Sequence, residues 1–297
     1  MQKILYIVVL IIFSLLVTYI GILWYQKFFR IHEKDKALIV FCDVGQGDMI
    51  LIRWPQRSWE IIDSGPDEVH AADCVRKHIP PHERDGVHWW LTHFHQDHFG
   101  GGLALQRAFK IITIFTGGKM SQEYASWIAG FTDTHVQANL GACKGWEKNC
   151  TVLWPPVTLE TPHDQNMQSL ILFLTYGRFG VWLGGDAPQA QEKYALDSLP
   201  KELPEFVLIK LGHHGSKYST SHELLKKLKP SFAVISSGKA NRYGHPHEAT
   251  LMRLKKNKIP YYRTDQDGDI CIASDGIKVW VGCPPLWVWG WSPFAIF

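Results

Sequence analysis

The stretch Thr92-His93-Phe94-His95-Gln96-Asp97-His98-Phe99-Gly100-Gly101-Gly102 packs three histidines and an aspartate into six positions, between an apolar run (residues 87–91) and three glycines. An apolar run that ends in polar residues and glycine reads as a strand delivering a loop. Imidazole nitrogen and carboxylate oxygen are the donors that suit zinc or manganese. On an extended backbone His93 and His95 point the same way, while Asp97 and His98 fall where the chain turns and can face a second ion.

Further donors sit at other strand ends. The strand of residues 179–183 ends in Gly184-Gly185-Asp186, and that of residues 206–211 ends in Gly212-His213-His214-Gly215-Ser216. Taken singly, Asp186 reads equally as a turn residue and His213 as a buried histidine. Taken with the first motif, they imply convergence on one centre, with His213 or His214 as the ligand. The donors exceed what one tetrahedral ion needs, so two divalent ions bridged by Asp186 are the economical reading. Such a pair activates water against a phosphorus or carbonyl centre while stabilising the leaving oxygen.

Along the chain, residues 37–43 and 49–53 read as a hairpin-like pair of strands around a glycine-containing turn, and residues 60–63 as a third strand. Asp63, at its end before Ser64-Gly65, is assigned to shaping the loop by accepting the following amides. Helices are expected over 73–78, 102–109, 121–129, 188–199, 221–228 and 248–256. Ser221 would cap its helix, with Lys226, Lys227 and Lys229 near the C-terminus, where the dipole favours cations. Further strands are expected over 111–115, 151–154, 169–175, 231–236, 261–264 and 269–273. Residues 38–283 thus read as one α/β domain of layered strands and helices, and a 46% hydrophobic composition supplies a core for it. A net charge of +3 excludes little.

Residues 4–24 carry no charge and, at about 1.5 Å per residue, are long enough to cross a membrane as a helix. No small-residue cleavage site follows. Lys27, Arg30, Lys34 and Lys36 outnumber Lys3, which by the positive-inside rule points to a cytoplasmic domain. Cysteine usage points outward instead: Cys143 and Cys150 bracket a short loop without histidine, a spacing that suits a disulfide and an oxidising compartment. Cys42, Cys74, Cys271 and Cys283 show no such pattern and read as buried free thiols. The tail, residues 284–297, is apolar and tryptophan-rich and either lies on the membrane or covers a sheet edge.

The ordered set Asp43-Val44-Gly45-Gln46-Gly47-Asp48, Ile62-Asp63-Ser64-Gly65, the His93 motif, Gly184-Gly185-Asp186, residues 210–216 (KLGHHGS) and Tyr243-Gly244-His245-Pro246-His247 resembles the metallo-β-lactamase superfamily. Within it, the set is similar to the hydrolase domain of the ComEC family of DNA-uptake competence proteins. The resemblance implies a four-layer αββα sandwich with a two-metal site, acting as a phosphodiesterase or nuclease on DNA during transformation. On it, His93, His95, Asp97, His98, Asp186, His213 and His214 are metal-ligand positions. Asp97 or Asp186 would orient the attacking hydroxide, and His245 or His247 would donate a proton to the leaving oxygen or hold phosphate. Gln46, Asp48, Asn166, Ser169, Ser216, Lys217 and Asn241 are assigned to substrate contact.

Two departures stand out. The superfamily's additional histidine before the bridging aspartate is missing, with Asn166-Met167-Gln168-Ser169 in its place and His163 just upstream. The family's multi-helix membrane channel is also reduced to one preceding helix, so a separate DNA-channel subunit is an expected partner. Lys217, Lys226, Lys227, Lys229, Lys239, Arg242, Lys255, Lys256 and Lys258 make the last third basic, which suits a phosphate backbone and equally a solvated helix face. The expected localisation is the inner membrane, single-pass, with the domain on the outer face. The alternatives are an anchored hydrolase of a small ester or phosphodiester, and a non-catalytic DNA-binding or assembly module of a split transporter.

Overall fold

Side chains alternate between the two faces of a strand, and here both faces are covered. In Ala37–Phe41, Ile39 and Phe41 enter one apolar cluster and Val40 another; in Ile50–Arg53, Ile50 and Ile52 share the first and Leu51 the second. In Ile171–Tyr176, Leu172 and Leu174 join the first cluster while Ile171 and Phe173 join a third. The first cluster therefore fills the space between two sheets, and the other two lie on their outer faces.

Helices close those outer faces. Ala71, Cys74 and Val75 of Glu68–His78, Leu105 of Gly102–Ala108 and Ile128 of Gln122–Ala129 cover one sheet. Ala195 of Gln189–Asp197, Leu224, Leu225 and Leu228 of His222–Leu228 and Leu254 of Glu248–Lys256 cover the other. The result is the αββα sandwich that the resemblance implies. Its outer layers are firmly packed: Trp89 is fully buried between the rings of Trp127 and Phe131, and truncating such an indole costs about 3–5 kcal/mol.

In this computed structural model of the chain, the described residues are 6, 11–21, 35–55, 59–118, 120–132, 134–143, 150–156, 164–283 and 294–296. Among them, one sheet runs in the order Phe294–Ile296, Val279–Val281, Ile270–Ser274, Ala37–Phe41, Ile50–Arg53, Trp59–Ile62, Val87–Leu91, Ile111–Gly117, His135–Ala138. The other runs Tyr261–Arg263, Phe232–Ile235, Phe206–Lys210, Phe179–Leu183, Ile171–Tyr176, Cys150–Trp154, Gly141–Ala142.

Direction matters more than order. Trp59–Ile62, Val87–Leu91 and Ile111–Gly117 are parallel, as are Phe179–Leu183, Phe206–Lys210 and Phe232–Ile235. Parallel strands deliver their C-terminal loops to one edge of the sheet, the usual place for a ligand in such architectures. Asp63, His93, Asp186, His213 and His214 all follow C-terminal strand ends of this kind.

Several local expectations change. The helix expected over 73–78 begins at Glu68, because Asp67 accepts from the amides of Val69 and His70 and caps it five residues earlier. Ser221 caps His222–Leu228 as expected, accepting from Leu224 N–H at 3.1 Å. Cys143 and Cys150 form the expected disulfide.

The free thiols expected at the other cysteines are corrected: Cys42 pairs with Cys74 and Cys271 with Cys283. Both bridges join segments brought together by the fold, one linking the end of Ala37–Phe41 to the helix lying over it. Phe294–Ile296 pairs with Val279–Val281, extending the sheet, while 284–293 and 297 lie outside the described residues.

Residues 11–21 are helical and exposed, and the expected span 4–24 lies partly outside the described residues. Among the described residues, no helix is long and apolar enough to cross a membrane.

Candidate metal centre

The strand Val87–Leu91 ends at Thr92, whose backbone N–H and hydroxyl both donate to Asp63, at 2.7 and 2.8 Å. Asp63 belongs to the neighbouring parallel strand's end, so the two loops are stitched together at their roots. Its partners are thus across the sheet, not the following Ser64 and Gly65 amides as expected. Past His95 the chain enters the short helix Gln96–Phe99, which turns Asp97 and His98 inward. Gly100 and Gly101 then pass so close to the Pro66 and Ser64 carbonyls that a Cβ at either would collide with backbone.

His98 is fully buried, and its Nδ1 lies 2.7 Å from Asp63 Oδ2. That bond places a proton on Nδ1 and turns Nε2 toward Asp186 Oδ2, 3.4 Å away. His214 is held in the same way. Its Nδ1 lies 3.1 Å from the Ser236 carbonyl, and its Nε2 lies 3.5 Å from Asp186 Oδ2 and 3.2 Å from Asp97 Oδ2. His213 and His214 both adopt left-handed backbone conformations, with φ of 49° and 53°. Two such residues in succession cost energy, and strain of this kind collects at functional sites. The turn lets His214 enter the interior and brings His213 Nε2 to 3.6 Å from Asp186 Oδ2.

Asp97, His98, Asp186 and His214 each offer one ligand atom, all within 4.8 Å of one another. His98 Nε2, His214 Nε2 and Asp186 Oδ1 are buried and have no hydrogen-bond partner among the described residues. Buried polar atoms left unpaired cost free energy unless something satisfies them. Two imidazole nitrogens and two carboxylates aimed at one point fit a divalent cation, with Asp63 and the Ser236 carbonyl in the outer positions that orient metal-bound histidines.

On the other side of Asp186, His93 Nε2 stands 3.0 Å from His95 Nδ1 and 4.0 Å from Asp186 Oδ2. Two nitrogens on one tetrahedral ion lie about 3.3 Å apart, so this pair could share a second ion. Ser169, in the segment that replaces the additional histidine, is fully buried; its Oγ accepts from Asp186 N–H at 3.2 Å and steadies the loop. His163 lies outside the described residues.

Charge around the centre is strongly paired. Burial opposes ionisation of Asp186, but His214 and His98 hold its carboxyl well below the usual range. The same partners reverse the effect of burial on the histidines: Asp186 and Asp63 hold His98 well above its usual value, as Asp186 and Asp48 do His214. His93, pushed down by burial and then by His98, stays neutral. Positive charge is therefore wanted between these groups, and a bound cation would supply it while displacing protons. His245, half-buried and beside His214 and His213, is pushed down to about 4.

The residues assigned to substrate contact divide. Asp48 is 1% exposed and paired with the buried Lys210, behind the histidines, with Oδ1 3.4 Å from His214 Nδ1. Lys210 and His214 overcome its burial and bring its carboxyl down to about 2. It therefore braces the histidines from within the fold. Removing one member of such a pair costs about 3–5 kcal/mol.

Ser216 is buried and accepts from Tyr218 N–H at 3.3 Å; Gln46 accepts from Gly238 N–H at 3.1 Å; Asn241 ties its own loop. Asn166 is half-buried and Lys217 exposed. His247 Nδ1 accepts from Lys217 N–H at 3.0 Å, which leaves the ring proton on Nε2. Sequence reasoning gave no role to Lys210 or Thr92, nor to Glu192, whose carboxylate accepts from Thr220 and Ser221 N–H and pins the loop after His214. A charged residue inside an apolar strand was the available signal for Lys210.

No family model matches the chain. It is similar to ComE operon protein 3 of Bacillus subtilis, 30% identical over 250 residues that make up 77% of this chain and 32% of that protein. Recombination protein 2 of Haemophilus influenzae is 27% identical over 233 residues, 77% of this chain and 28% of that protein. Competence protein ComA of Neisseria gonorrhoeae is 29% identical over 246 residues, 79% of this chain and 32% of that protein. The chain spans about a third of the length of these curated relatives.

Among solved structures, a metal-dependent hydrolase of the beta-lactamase superfamily covers 77% of this chain and 95% of its own, with a TM-score of 0.50 and 13% identity, a likeness of fold. The resemblance carried by the ordered motifs thus extends over most of the sequence: the chain is a relative of the ComEC-family competence proteins and has the fold of the metallo-β-lactamase superfamily.

Proposed function

We propose that this chain is a metal-dependent phosphodiesterase that cuts DNA during its uptake. The observation that carries the reading is the cluster in which ligand atoms of Asp97, His98, Asp186 and His214 converge. A divalent ion held there, zinc or manganese, would supply Lewis acidity toward a phosphodiester and lower the pKa of a water. Asp186, placed between the two sets of histidines, is the bridging position.

The surrounding residues fit roles in hydrolysis. Burial opposes it, but His214 and His98 keep Asp97 ionised well below the usual range, and its side chain is 30% exposed, so it can accept a hydrogen bond from an attacking water. His245, with its value near 4, is neutral at pH 7 and suited to hydrogen-bonding phosphate rather than delivering a proton as imidazolium. His247 presents its Nε2–H; Lys217, whose N–H donates to His247 Nδ1, is an exposed cation, and Arg242 is another on the same loop as His247.

DNA as substrate is supported by the relatives, which are named as competence and recombination proteins. A placement on the outer face of the membrane, anchored through residues 4–24, is supported by three disulfides that use every cysteine of the chain.

The test uses the full chain purified in detergent, with manganese or zinc and plasmid DNA. Cleavage is expected, chelator is expected to abolish it, and Asp97→Ala to slow it by about 100-fold or more. Cleavage that survives chelation, or an Asp97→Ala variant as fast as the parent, would overturn the assignment.

A further inference from the structure

Beside the metal centre lies a loop fixed by one side chain. Asn241 Nδ2 donates to the carbonyls of Gly238 and His245, at 3.0 and 2.6 Å, and its Oδ1 accepts from Tyr243 and His245 N–H, at 3.2 and 3.0 Å. All the bonding capacity of the amide is spent on the loop. Gln46 Oε1 accepts from Gly238 N–H at 3.1 Å and ties it to the segment that carries Asp48.

What this locked loop displays is an aromatic ring. Tyr243 is 49% exposed and stacks on His245, with ring centres 5.8 Å apart and planes 21° apart. His245 in turn lies 5.4 Å from the His213 ring and 6.2 Å from that of His214, so the ring is two contacts from the metal ligands. Arg242 stands with its guanidinium carbon 4.9 Å from the Tyr243 ring centre and donates to the phenol oxygen at 2.7 Å. That hydrogen bond and, from farther off, the Asp97 carboxylate favour its charge. Lys217 adds a cation on the loop bonded to His247.

An exposed tyrosine is ordinary by itself. A tyrosine on a loop locked by four hydrogen bonds, flanked by a cation and contiguous with the metal ligands, has the parts of a nucleic-acid subsite: an aromatic face for a base and a positive charge for the adjoining phosphate. In a duplex the faces of interior bases are covered by their neighbours, and only an unpaired base can lie on such a ring. Every base has such a face, so the contact is indifferent to sequence.

We propose that Tyr243 is a stacking platform for an unpaired base of single-stranded DNA and that Arg242 holds its phosphate, so that the strand enters the metal centre as a single strand. This rests on the reading of the chain as a DNA phosphodiesterase.

The test is fluorescence anisotropy with the full chain in detergent and chelator, using a labelled thymidine oligonucleotide, an abasic oligomer of equal length and a blunt duplex. The parent protein is expected to bind the base-bearing strand about tenfold or more tighter than the abasic one, and tighter than the duplex. Tyr243→Ala should erase the difference between base-bearing and abasic strands, and Tyr243→Phe should keep it. Arg242→Ala should weaken both strands alike.

Equal binding of abasic and base-bearing strands by the parent, equal weakening of both by Tyr243→Ala, or a duplex bound as tightly as the single strand would overturn the platform. Catalysis plays no part in these titrations. Base-dependent binding without metal-dependent cleavage would overturn the enzymatic reading alone, and cleavage without base dependence the platform alone.

Discussion

The two sides of Asp186 are built differently. On one, Asp97, His98 and His214 converge, and each histidine is fixed through its other nitrogen, by Asp63 at 2.7 Å or by the Ser236 carbonyl at 3.1 Å. On the other, His93 and His95 face each other at 3.0 Å, His93 has the Thr92 hydroxyl 3.1 Å from Nδ1, and His95 is half-buried. His213, 30% exposed, approaches from the mouth. Ligands locked by an outer layer of hydrogen bonds bind metal more tightly than equally placed but freer ones. The first position is therefore expected to hold its ion more strongly than the second, beside which no further histidine stands among the described residues.

The largest effect should come from the residue both sides share. Asp186→Ala is expected to empty both positions and reduce cleavage by about 1,000-fold or more, read by elemental analysis after desalting together with plasmid assays. Retention of two ions would remove Asp186 from the bridge. Next, His214→Ala should lose the tightly held ion while His95→Ala loses only the weaker one, with metal content near one ion per chain in each case but a lower affinity for the remaining ion in His214→Ala. Equal affinities would erase the proposed asymmetry. The smallest change should follow Asp63→Asn, which leaves every ligand in place and is expected to weaken ion binding at the His98 side by about 10–100-fold, measured by competition with a metal-sensitive dye. An effect on the His93 side alone would reverse the ranking.

Much of this geometry was legible in the sequence because its ligands arrive on short motifs at strand ends. The spacing of His93, His95, Asp97 and His98 encodes their arrangement locally, and glycines before Asp186 and around His213-His214 mark the turns. What escaped depends on distant pairing. Lys210 and Asp48 are 162 positions apart, one at the end of a strand of the second sheet and the other in a loop between strands of the first, so an aspartate in a glycine-containing turn looked like a surface contact until the lysine beneath it was seen. Cys42 and Cys74 are separated by 32 positions, with no local pattern to link them, whereas Cys143 and Cys150 are only 7 apart. The early start of Glu68–His78 was hidden because Ser64-Gly65-Pro66 reads as a loop right up to the capping Asp67.

Gly100 and Gly101 touch no ligand, yet each runs against the backbone of the segment that carries Asp63 and Pro66, where a methyl group has no room. In a saturation survey of this chain, both positions should therefore score as intolerant as the histidines, even for alanine. Assays of bare activity would file them with the chemistry. A measurement of folding would separate them, since a histidine ligand can be replaced while the frame persists, and a side chain at either glycine forces the frame itself apart. Sensitivity along this motif thus reports two different quantities, and the boundary between them falls between His98 and Gly100.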